Sequence, residues 1–285
     1  MANERIVLIT GATGRQGGAV ARVLAGKGFK IRALTRKPES DAAKALAKTG
    51  AEIVRGDLDD DASLKKALHG VWGVFAVQNT WEAGVEKEEE QGKRLAKLAR
   101  EAGVEHFVYS SVGSADRKTG IPHFDNKWRV EEAVRGLGFP SYAILRPVFF
   151  MENLTTPWFL NGDKLCAAID PATRLQMVAV KDIGEYGARA FTDVQKFNGK
   201  AIELAGDAVT MPQAAEILGK GLGKKIEFVR LPIEEVRKNS EDFAVMLEWF
   251  DRVGYSADID RLGREFGVKP TTLHEWASKQ PRSTG

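Results

Sequence analysis

From Arg5 to Val20 the sequence reads Arg-Ile-Val-Leu-Ile-Thr-Gly-Ala-Thr-Gly-Arg-Gln-Gly-Gly-Ala-Val, with three evenly spaced glycines after an apolar run. The apolar run, residues 6–9, predicts a buried strand, and a helical pattern of apolar residues follows the glycines. Gly11 permits a sharp turn off the strand, Gly14 lets a pyrophosphate approach the backbone because it has no Cβ, and Gly17 lets the helix pack against the strand. Backbone amides at the start of such a helix attract phosphate. The stretch therefore predicts a dinucleotide site rather than an ordinary glycine-rich turn.

Strand and helix patterns alternate through the first half of the chain. Predicted strands cover residues 6–9, 30–35, 52–55, 73–77, 106–109 and 142–145, and predicted helices cover residues 17–25, 41–48, 62–68, 85–102 and 124–135. This alternation predicts an α/β fold in which a Rossmann-type, doubly wound parallel sheet is covered by helices on both faces. One helix begins with the charge run Glu86-Lys-Glu-Glu-Glu90, which predicts a solvated face with acids near the helix N-terminus.

After Pro147 the alternation becomes irregular. Strands are predicted over residues 175–180, 201–204 and 226–230 and a helix over residues 211–222, with Asp182, Asp258 and Thr271 as helix caps. We therefore expect an NAD(P)-binding Rossmann domain over residues 1–150 and a smaller mixed α/β lobe over residues 151–285. The two parts are expected to pack as one unit, with some strands of the second part returning to the main sheet.

The composition excludes several classes of protein. With 285 residues, 43% hydrophobic and 28% charged, the chain has room for one globular domain and a smaller lobe. No apolar run reaches the ~20 residues of a membrane span, and the passage from Met1 into the first predicted strand leaves no room for a signal peptide. Cys166 is the single cysteine, which excludes an internal disulfide and fits a cytoplasmic protein. The dispersed Lys and Arg residues predict no direct nucleic-acid binding, and the histidines lack the spacing of metal ligands.

The end of the second predicted strand, Thr35-Arg36-Lys37-Pro38, bears on the choice of cofactor. A site that prefers NAD usually has Asp or Glu at this point, about 20 residues after the glycines, where it binds the ribose 2′-hydroxyl. Here Thr35 takes that position and Arg36 and Lys37 follow. A guanidinium binds the 2′-phosphate of NADP through paired, charged hydrogen bonds. We therefore predict NADP(H) in preference to NAD(H); the alternative is an arginine that is simply solvated at the surface.

Polar residues follow three further predicted strands. They are Asp57 in Gly56-Asp57-Leu58, Gln78 in Val77-Gln78-Asn79, and Ser110 in Tyr109-Ser110-Ser111. In a parallel sheet, ligands bind outside the carboxyl ends of the strands. At that edge Asp57 could accept a hydrogen bond from an adenine amino group, and the backbone near Gln78 would pass close to the cofactor. The alternative is a set of ordinary polar loops.

His123 and Lys127, in the sequence His123-Phe-Asp-Asn-Lys127, open a predicted helix and share one of its faces. If this helix crosses the mouth of the site, Lys127 can bind ribose hydroxyls and His123 can reach a substrate. The alternative is a common surface pair of residues four apart on a helix.

The chain resembles the NmrA-like family, an atypical branch of the short-chain dehydrogenase/reductases. The resemblance is specific over residues 5–155 and looser beyond them. It rests on residues 10–18, Thr35-Arg36-Lys37-Pro38, Gly56-Asp57-Leu58, Gln91-Gly92-Lys93, Val108-Tyr109-Ser110-Ser111, residues 123–127 and residues 146–154. It implies a Rossmann domain with a small C-terminal lobe and a preference for NADP(H). The predicted cofactor site then comprises Gly11, Thr13, Gly14, Arg15, Gln16, Gly17, Arg36, Lys37, Asp57, Leu58, Val77, Gln78, Ser110, Lys127, Pro147, Phe150 and Asn153.

One departure from the wider superfamily concerns catalysis. The superfamily has a Tyr-x-x-x-Lys motif in which tyrosine is the acid/base, and here His123 takes the position of the tyrosine while Lys127 keeps that of the lysine. Some NmrA-like relatives with this change are redox sensors or transcriptional co-regulators. Others, similar to quinone, triphenylmethane-dye and isoflavone-type reductases, transfer hydride.

The sequence therefore predicts an NADPH-dependent reductase of a small quinone-like or aromatic acceptor, with Lys127 and His123 as its catalytic residues. The proton would come from His123, Lys127 or water. Trp81, Phe149 and Trp158 are predicted to line the apolar substrate pocket; for each, the alternative is a place in the core. The alternative function is a non-catalytic sensor of the NADPH/NADP ratio that acts through a regulatory protein partner.

Overall fold

The computed structural model describes residues 5–281, which divide into two compact units. One unit combines the chain up to Ala115 with His123–Arg146 and Ile183–Ile202. The other combines Asp116–Pro122, Pro147–Asp182 and the chain from Glu203 onwards. Each unit is thus assembled from stretches that are separated in sequence. The division into domains of residues 1–150 and 151–285 stays a prediction.

The described residues form thirteen strands and thirteen α-helices. The strands are β1 (Arg5–Ile9), β2 (Phe29–Thr35), β3 (Glu52–Arg55), β4 (Gly73–Ala76), β5 (His106–Ser110), β6 (Ser141–Pro147), β7 (Phe149–Phe150), β8 (Leu160–Asn161), β9 (Lys164–Ala167), β10 (Arg174–Val178), β11 (Lys200–Leu204), β12 (Asp207–Thr210) and β13 (Glu227–Arg230). The helices are α1 (Arg15–Leu24), α2 (Asp41–Ala47), α3 (Asp61–Leu68), α4 (Thr80–Ala83), α5 (Val85–Glu101), α6 (Pro122–Gly136), α7 (Val180–Thr192), α8 (Val194–Phe197), α9 (Met211–Leu222), α10 (Ile233–Arg237), α11 (Glu241–Arg252), α12 (Ile259–Phe266) and α13 (Leu273–Ala277).

Seven strands of the described chain form the central sheet, in the order β3-β2-β1-β4-β5-β6-β11. The pairs from β3 to β6 are parallel. β1 and β4 are neighbours, and the chain moves outward from them in both directions, so the topological switch point of the sheet lies between these two strands. The predicted Rossmann-type doubly wound fold is confirmed, and β11, from the C-terminal part of the sequence, is the edge strand beside β6.

The apolar strands lie in the core because helices cover the sheet. Every residue of β4 and β5 is buried, as expected for strands that are covered on both faces. One side of the sheet packs against the apolar stripe of α5, where Leu95, Ala96 and Ala99 are completely buried. The spacing of these residues by three and four is what directs that stripe into the core.

Most predicted elements of the first unit are present within one or two residues of their predicted bounds. The sequence did not predict α4, Thr80–Ala83, since four residues are too few to show a helical period. Asn79 caps α4 by accepting a hydrogen bond from the Trp81 amide at 3.2 Å, and Gly84 ends it with a φ of 87°. This short helix follows β4 directly, at the carboxyl edge of the sheet.

The second unit contains two small mixed sheets, with strand orders β12-β10-β7 and β13-β9-β8. Two helix caps predicted in this part of the chain are wrong. α7 begins at Val180, so Asp182 lies in its first turn, where its buried carboxylate accepts hydrogen bonds from the Thr271 amide at 2.8 Å and the Thr271 hydroxyl at 2.6 Å. The cap of α13 is Thr272 rather than Thr271, while Asp258 caps α12 as predicted. No helix within residues 5–281 is long and apolar enough to span a membrane.

Candidate functional site

The ends of β1 and β4 are tied together by Thr10. Its hydroxyl accepts a hydrogen bond from the Val77 amide at 2.8 Å and donates one to the Val77 carbonyl at 2.9 Å. Gly11 follows with a φ of 57°, a left-handed conformation that glycine adopts readily, and a Cβ there would lie 2.8 Å from a Val77 methyl. The glycine turn is therefore held at the switch point between the two strands, where ligands bind in this fold.

Gly14 and Gly17 have different roles in this turn. A Cβ on Gly17 would lie 2.5 Å from the carbonyl oxygens of both Thr10 and Gly11, so the first turn of α1 packs directly on the end of β1. Gly14 is the N-cap of α1, has an ordinary φ of −98° and would place a Cβ 3.2 Å from the Gly11 oxygen. The fold therefore requires glycine at position 17, whereas glycine at position 14 leaves the backbone open to an approaching group.

The N-terminus of α1 carries no acidic side chain, because its first turn reads Arg15-Gln16-Gly17-Gly18. The first amides of a helix have no partner within the helix, and the helix dipole favours an anion beside them. Gln16 Oε1 accepts a hydrogen bond from Ser110 Oγ at 2.6 Å, which links this turn to the end of β5. Thr13 and Arg15 are exposed beside it. This arrangement can bind the phosphates of a nucleotide.

Arg36 lies at the surface after β2. Its guanidinium is 2.5 Å from a carboxylate oxygen of Glu82 on α4, and both side chains are more than half exposed. Thr35 is buried, and its hydroxyl accepts a hydrogen bond from the Lys37 amide at 3.1 Å. An exposed ion pair contributes at most about 1 kcal/mol, so a phosphate can replace Glu82 at little cost. The sequence contained no signal for this partner, because Glu82 lies 46 residues further along the chain.

Asp57 and Leu58 follow β3 and have different environments. The Asp57 carboxylate accepts a hydrogen bond from the Asp59 amide at 3.1 Å, and the Asp57 amide donates to Ser63 Oγ at 3.1 Å. Leu58 packs against the main hydrophobic core. The half-buried Asp57 side chain is therefore held in a tight turn at the carboxyl edge of the sheet.

Gln78 is the most unusual polar residue at this edge. Its side chain is only 6% exposed, and neither its amide nitrogen nor its amide oxygen has a hydrogen-bond partner among residues 5–281. Leaving a buried polar group without a partner costs about 1–3 kcal/mol. The amide oxygen lies against α5, 3.4 Å from the position that a Cβ on Gly92 would take, and Val130 of α6 contacts the same position.

Glu88 is the residue of the candidate site that sequence reasoning missed. The charge run at the start of α5 was expected to face solvent, and for Glu88 this expectation is wrong, since it is 1% exposed. One carboxylate oxygen lies 2.7 Å from Lys127 Nζ, and the other accepts hydrogen bonds from Asn126 Nδ2 at 2.9 Å and from the Thr80 hydroxyl. Burial disfavours the ionised form, but Lys127, Thr80 and Asn126 outweigh it and hold the pKa of Glu88 below its usual value.

His123 and Lys127 are not the exposed surface pair that the alternative interpretation required. His123 is 7% exposed, and its ring centroid lies 5.4 Å from that of Trp81 and 4.8 Å from that of Phe124. The Lys127 side chain is 11% exposed, and its ammonium lies 5.9 Å from the centroid of the Tyr109 ring. Burial, with the neighbouring acids, raises the pKa of Tyr109 well above 10, so this tyrosine stays protonated.

A second buried charge network fixes α6 to the end of β6. Glu131 is fully buried, and its two carboxylate oxygens lie 2.9 Å and 2.7 Å from Arg146 Nε and Nη2. The same carboxylate accepts hydrogen bonds from Ser111 Oγ at 2.6 Å and Arg135 Nη2 at 2.8 Å. Because Glu131 lies on the same helix as Lys127, this network holds the helix that carries Lys127 against the sheet.

Five further predicted site residues belong to the second unit. Phe149 is buried there among aromatic rings, with centroids 5.2 Å from Phe159 and 6.3 Å from Phe250. Trp158 is 71% exposed, and its ring centroid lies 6.3 Å from that of Phe243. Pro147 ends β6, Phe150 lies in β7, and Asn153 lies half-buried in the 3-10 helix that follows. Their part in cofactor or substrate binding, like that of the exposed Trp81 in the first unit, stays a prediction.

A metal centre is not found in the part of the chain that the structure describes. Among residues 5–281, no group of three or more His, Cys, Asp or Glu side chains is arranged to bind a metal ion.

The parallel sheet and the glycine turn at its switch point define an NAD(P)-binding Rossmann fold. Within that class, the sequence profile of the NmrA-like family matches residues 3–278, and the chain belongs to the NmrA-like family.

Three known proteins are informative relatives. A (4-alkanoyl-5-oxo-2,5-dihydrofuran-3-yl)methyl phosphate reductase from Streptomyces griseus is 31% identical over 283 residues, which cover 93% of this chain and 91% of the relative. The structure of an NADPH-dependent quinone oxidoreductase from Escherichia coli, complexed with NADPH, is 28% identical, with a TM-score of 0.78 over 95% of this chain and 98% of that one. NmrA, a negative transcriptional regulator solved in complex with NADP, has a TM-score of 0.81 over 97% of this chain and 95% of that one; at 22% identity it supports the fold alone.

Proposed function

We propose that this chain is an NADP(H)-dependent reductase that transfers hydride to a small quinone-like or aromatic acceptor. The observation that carries the cofactor assignment is the glycine turn at the switch point of the sheet, where the first turn of α1 has no acidic side chain and Gly14 leaves its backbone open. Two relatives support the reaction class, since one is a reductase and the other reduces quinones with NADPH.

Residues of the first unit fit such a cofactor. The amides at the start of α1 would bind the pyrophosphate, Arg36 the 2′-phosphate and Lys127 the ribose hydroxyls. Asp57 would accept from the adenine amino group. A bound nicotinamide supplies the hydride, and the protein orients it and provides a proton source.

The change from tyrosine to His123 suits acceptors that need little acid catalysis. Quinones and cationic dyes accept a hydride readily, and the proton can follow from water. The exposed ring of Trp81 beside His123 would offer an apolar surface to a flat acceptor, while Phe124 is buried behind the histidine.

Arg36→Ala is expected to weaken NADPH binding about 30-fold, or about 2 kcal/mol, because a charged hydrogen-bonding partner of the 2′-phosphate is lost. NADH affinity should not change, and it serves as the control within the same variant. Calorimetric titration of both cofactors measures the two affinities. Equal affinities for NADPH and NADH in the unmodified protein would contradict the proposed preference.

His123→Phe is expected to preserve NADPH affinity and the kcat for quinones, and to lower the kcat only for carbonyl acceptors, whose reduction requires a proton. Lys127→Ala is expected to weaken NADPH binding and to lower turnover with every acceptor, since contacts to the ribose are lost. Steady-state kinetics with one quinone and one carbonyl compound test both variants. Identical kinetics of His123→Phe and wild type on every acceptor would remove His123 from the mechanism.

The sensor function is the alternative outcome of the same experiment. It is favoured by one feature of the chain, the histidine at the position of the catalytic tyrosine. NADPH oxidation is followed with a panel of quinones, triphenylmethane dyes and carbonyl compounds. Tight binding of NADPH without turnover of any acceptor would replace the reductase with a sensor of the NADPH/NADP ratio.

A further inference from the structure

We infer that Glu88 is a positioning residue for the cofactor, which it serves by holding the ammonium of Lys127 in place. This inference rests on the proposed function, because it assumes that Lys127 binds the cofactor. Glu88 itself makes no contact with the cofactor in this proposal. Its carboxylate acts through the lysine.

The contacts around Glu88 leave its carboxylate a single orientation. One oxygen binds Lys127 Nζ, and the other accepts from both Asn126 and Thr80. These partners come from α4 and α6, while Glu88 lies on α5. Asn126 Nδ2 also donates to the Val85 carbonyl at 2.7 Å, which ties α6 to the first residue of α5. The carboxylate is therefore fixed by three helices at once.

A fixed carboxylate in turn restricts Lys127. Lysine has a long, flexible side chain, and immobilising it costs rotamer entropy. Here the 2.7 Å contact with a buried carboxylate orders the Lys127 side chain when the protein folds. Ligand binding therefore loses little further side-chain entropy. An ammonium has three N–H donors, and Glu88 takes one of them, so two remain for ribose hydroxyls.

The ion pair of Glu88 and Lys127 also has no net charge. An ammonium that is 11% exposed would be costly to bury alone, and the carboxylate compensates it. Lys127 therefore acts in this chain as an oriented hydrogen-bond donor in a neutral pair. The usual use of such a lysine, as a positive charge that lowers the pKa of a neighbouring tyrosine, is absent because His123 occupies that position.

The test is a double-mutant cycle on NADPH affinity, measured by calorimetry on the full chain. Glu88→Gln keeps the size of the side chain and removes its charge, and we expect NADPH to bind about 10-fold more weakly. In the Lys127→Met background, adding Glu88→Gln should cause no further loss. Glu89→Gln is the matched control: its carboxylate binds Lys93 and Arg129 instead, so NADPH affinity should not change.

Thr80→Ala provides a second variant that leaves the Glu88–Lys127 ion pair in place. It removes one hydrogen bond to the carboxylate, and we expect NADPH to bind about 3-fold more weakly, again only when Lys127 is present.

If Glu88 has a merely structural role, its loss will weaken NADPH binding equally in both backgrounds, which would overturn the inference. Unchanged affinity in Glu88→Gln would also overturn it. In both cases the wild type still binds NADPH and the proposed function stands, whereas a wild type that binds neither NADPH nor NADH would overturn both.

Discussion

Gly17→Ala is expected to destabilise the fold by about 3 kcal/mol or more, because its methyl group would meet two backbone oxygens at 2.5 Å. Neither the Thr10 nor the Gly11 carbonyl can move aside easily. The hydroxyl of Thr10 is bonded to Val77, and the Gly11 carbonyl accepts from the Gly14 amide at 2.9 Å. The clash must therefore displace α1 from the sheet.

Gly14→Ala is the matched control for this prediction, since it adds the same methyl group to the same turn. Its Cβ would meet one oxygen at 3.2 Å, and alanine is a poorer N-cap than glycine, so we expect a loss of about 1 kcal/mol. NADPH binding should nevertheless weaken strongly, because the methyl group would lie where the pyrophosphate approaches. Urea denaturation measures both stabilities. Equal stability of the two variants would contradict the separate roles of the two glycines.

A large pH effect is expected from His106, the first residue of β5. The ring is 1% exposed, lies 5.4 Å from the centroid of Phe191 and 5.9 Å from that of Trp72, and shares a 2.9 Å hydrogen bond with Ser141 Oγ. Burial lowers its pKa from 6.5 to about 4, although hydrogen bonds with Ala190 and Ser141 partly oppose the shift. The folded protein therefore prefers the neutral ring.

Because the pKa of His106 is lower in the folded state, its contribution to stability is complete above pH 6.5 and is lost as the pH falls towards 4. The free energy of unfolding should fall by about 2 kcal/mol from this group between pH 7 and pH 5, and by about 3 kcal/mol by pH 4. His106→Phe removes this dependence, so the stability difference between wild type and variant should shift in favour of the variant by the same amount.

Urea denaturation at pH 7 and pH 5 measures that shift. The variant lacks the hydrogen bond to Ser141 at every pH. This loss changes its free energy of unfolding by the same amount at both pH values, so it does not affect the difference between them. His69→Gln, a change at an exposed histidine, should leave the difference between the two pH values unaltered. If His106→Phe does not fold, an NMR titration of the His106 ring in the wild type gives the same answer. Titration of that ring near pH 6.5 would contradict the prediction.

The central sheet could be predicted closely because its signals are local. β3 has the same bounds in the prediction and in the structure, and α1 and α6 begin only two residues before their predicted starts. A buried parallel strand is a continuous apolar run, and an amphipathic helix shows its stripe every three to four residues. The glycine turn could be predicted equally well, since the strand, the glycines and the helix follow one another within twenty residues.

The partners of the charged residues could not be predicted. Glu88 and Glu89 are identical in type and adjacent, yet one is buried against Lys127 and the other binds Lys93 and Arg129 near the surface. Which of them faces inward depends on α6, which begins more than 30 residues later. Arg36 likewise meets Glu82 only through the placement of α4.

The sequence by itself determined the alternation of strands and helices, the glycine turn and the family, because each depends on neighbouring residues or on motifs of a few residues. Only the tertiary structure decided that Glu88 and Glu131 are buried and that the buried Gln78 carboxamide has no partner among the described residues. The physical reason is that the burial of a charge or an amide depends on which distant groups surround it. The same run of charged residues is compatible with carboxylates that face solvent and with a carboxylate that is buried against a lysine.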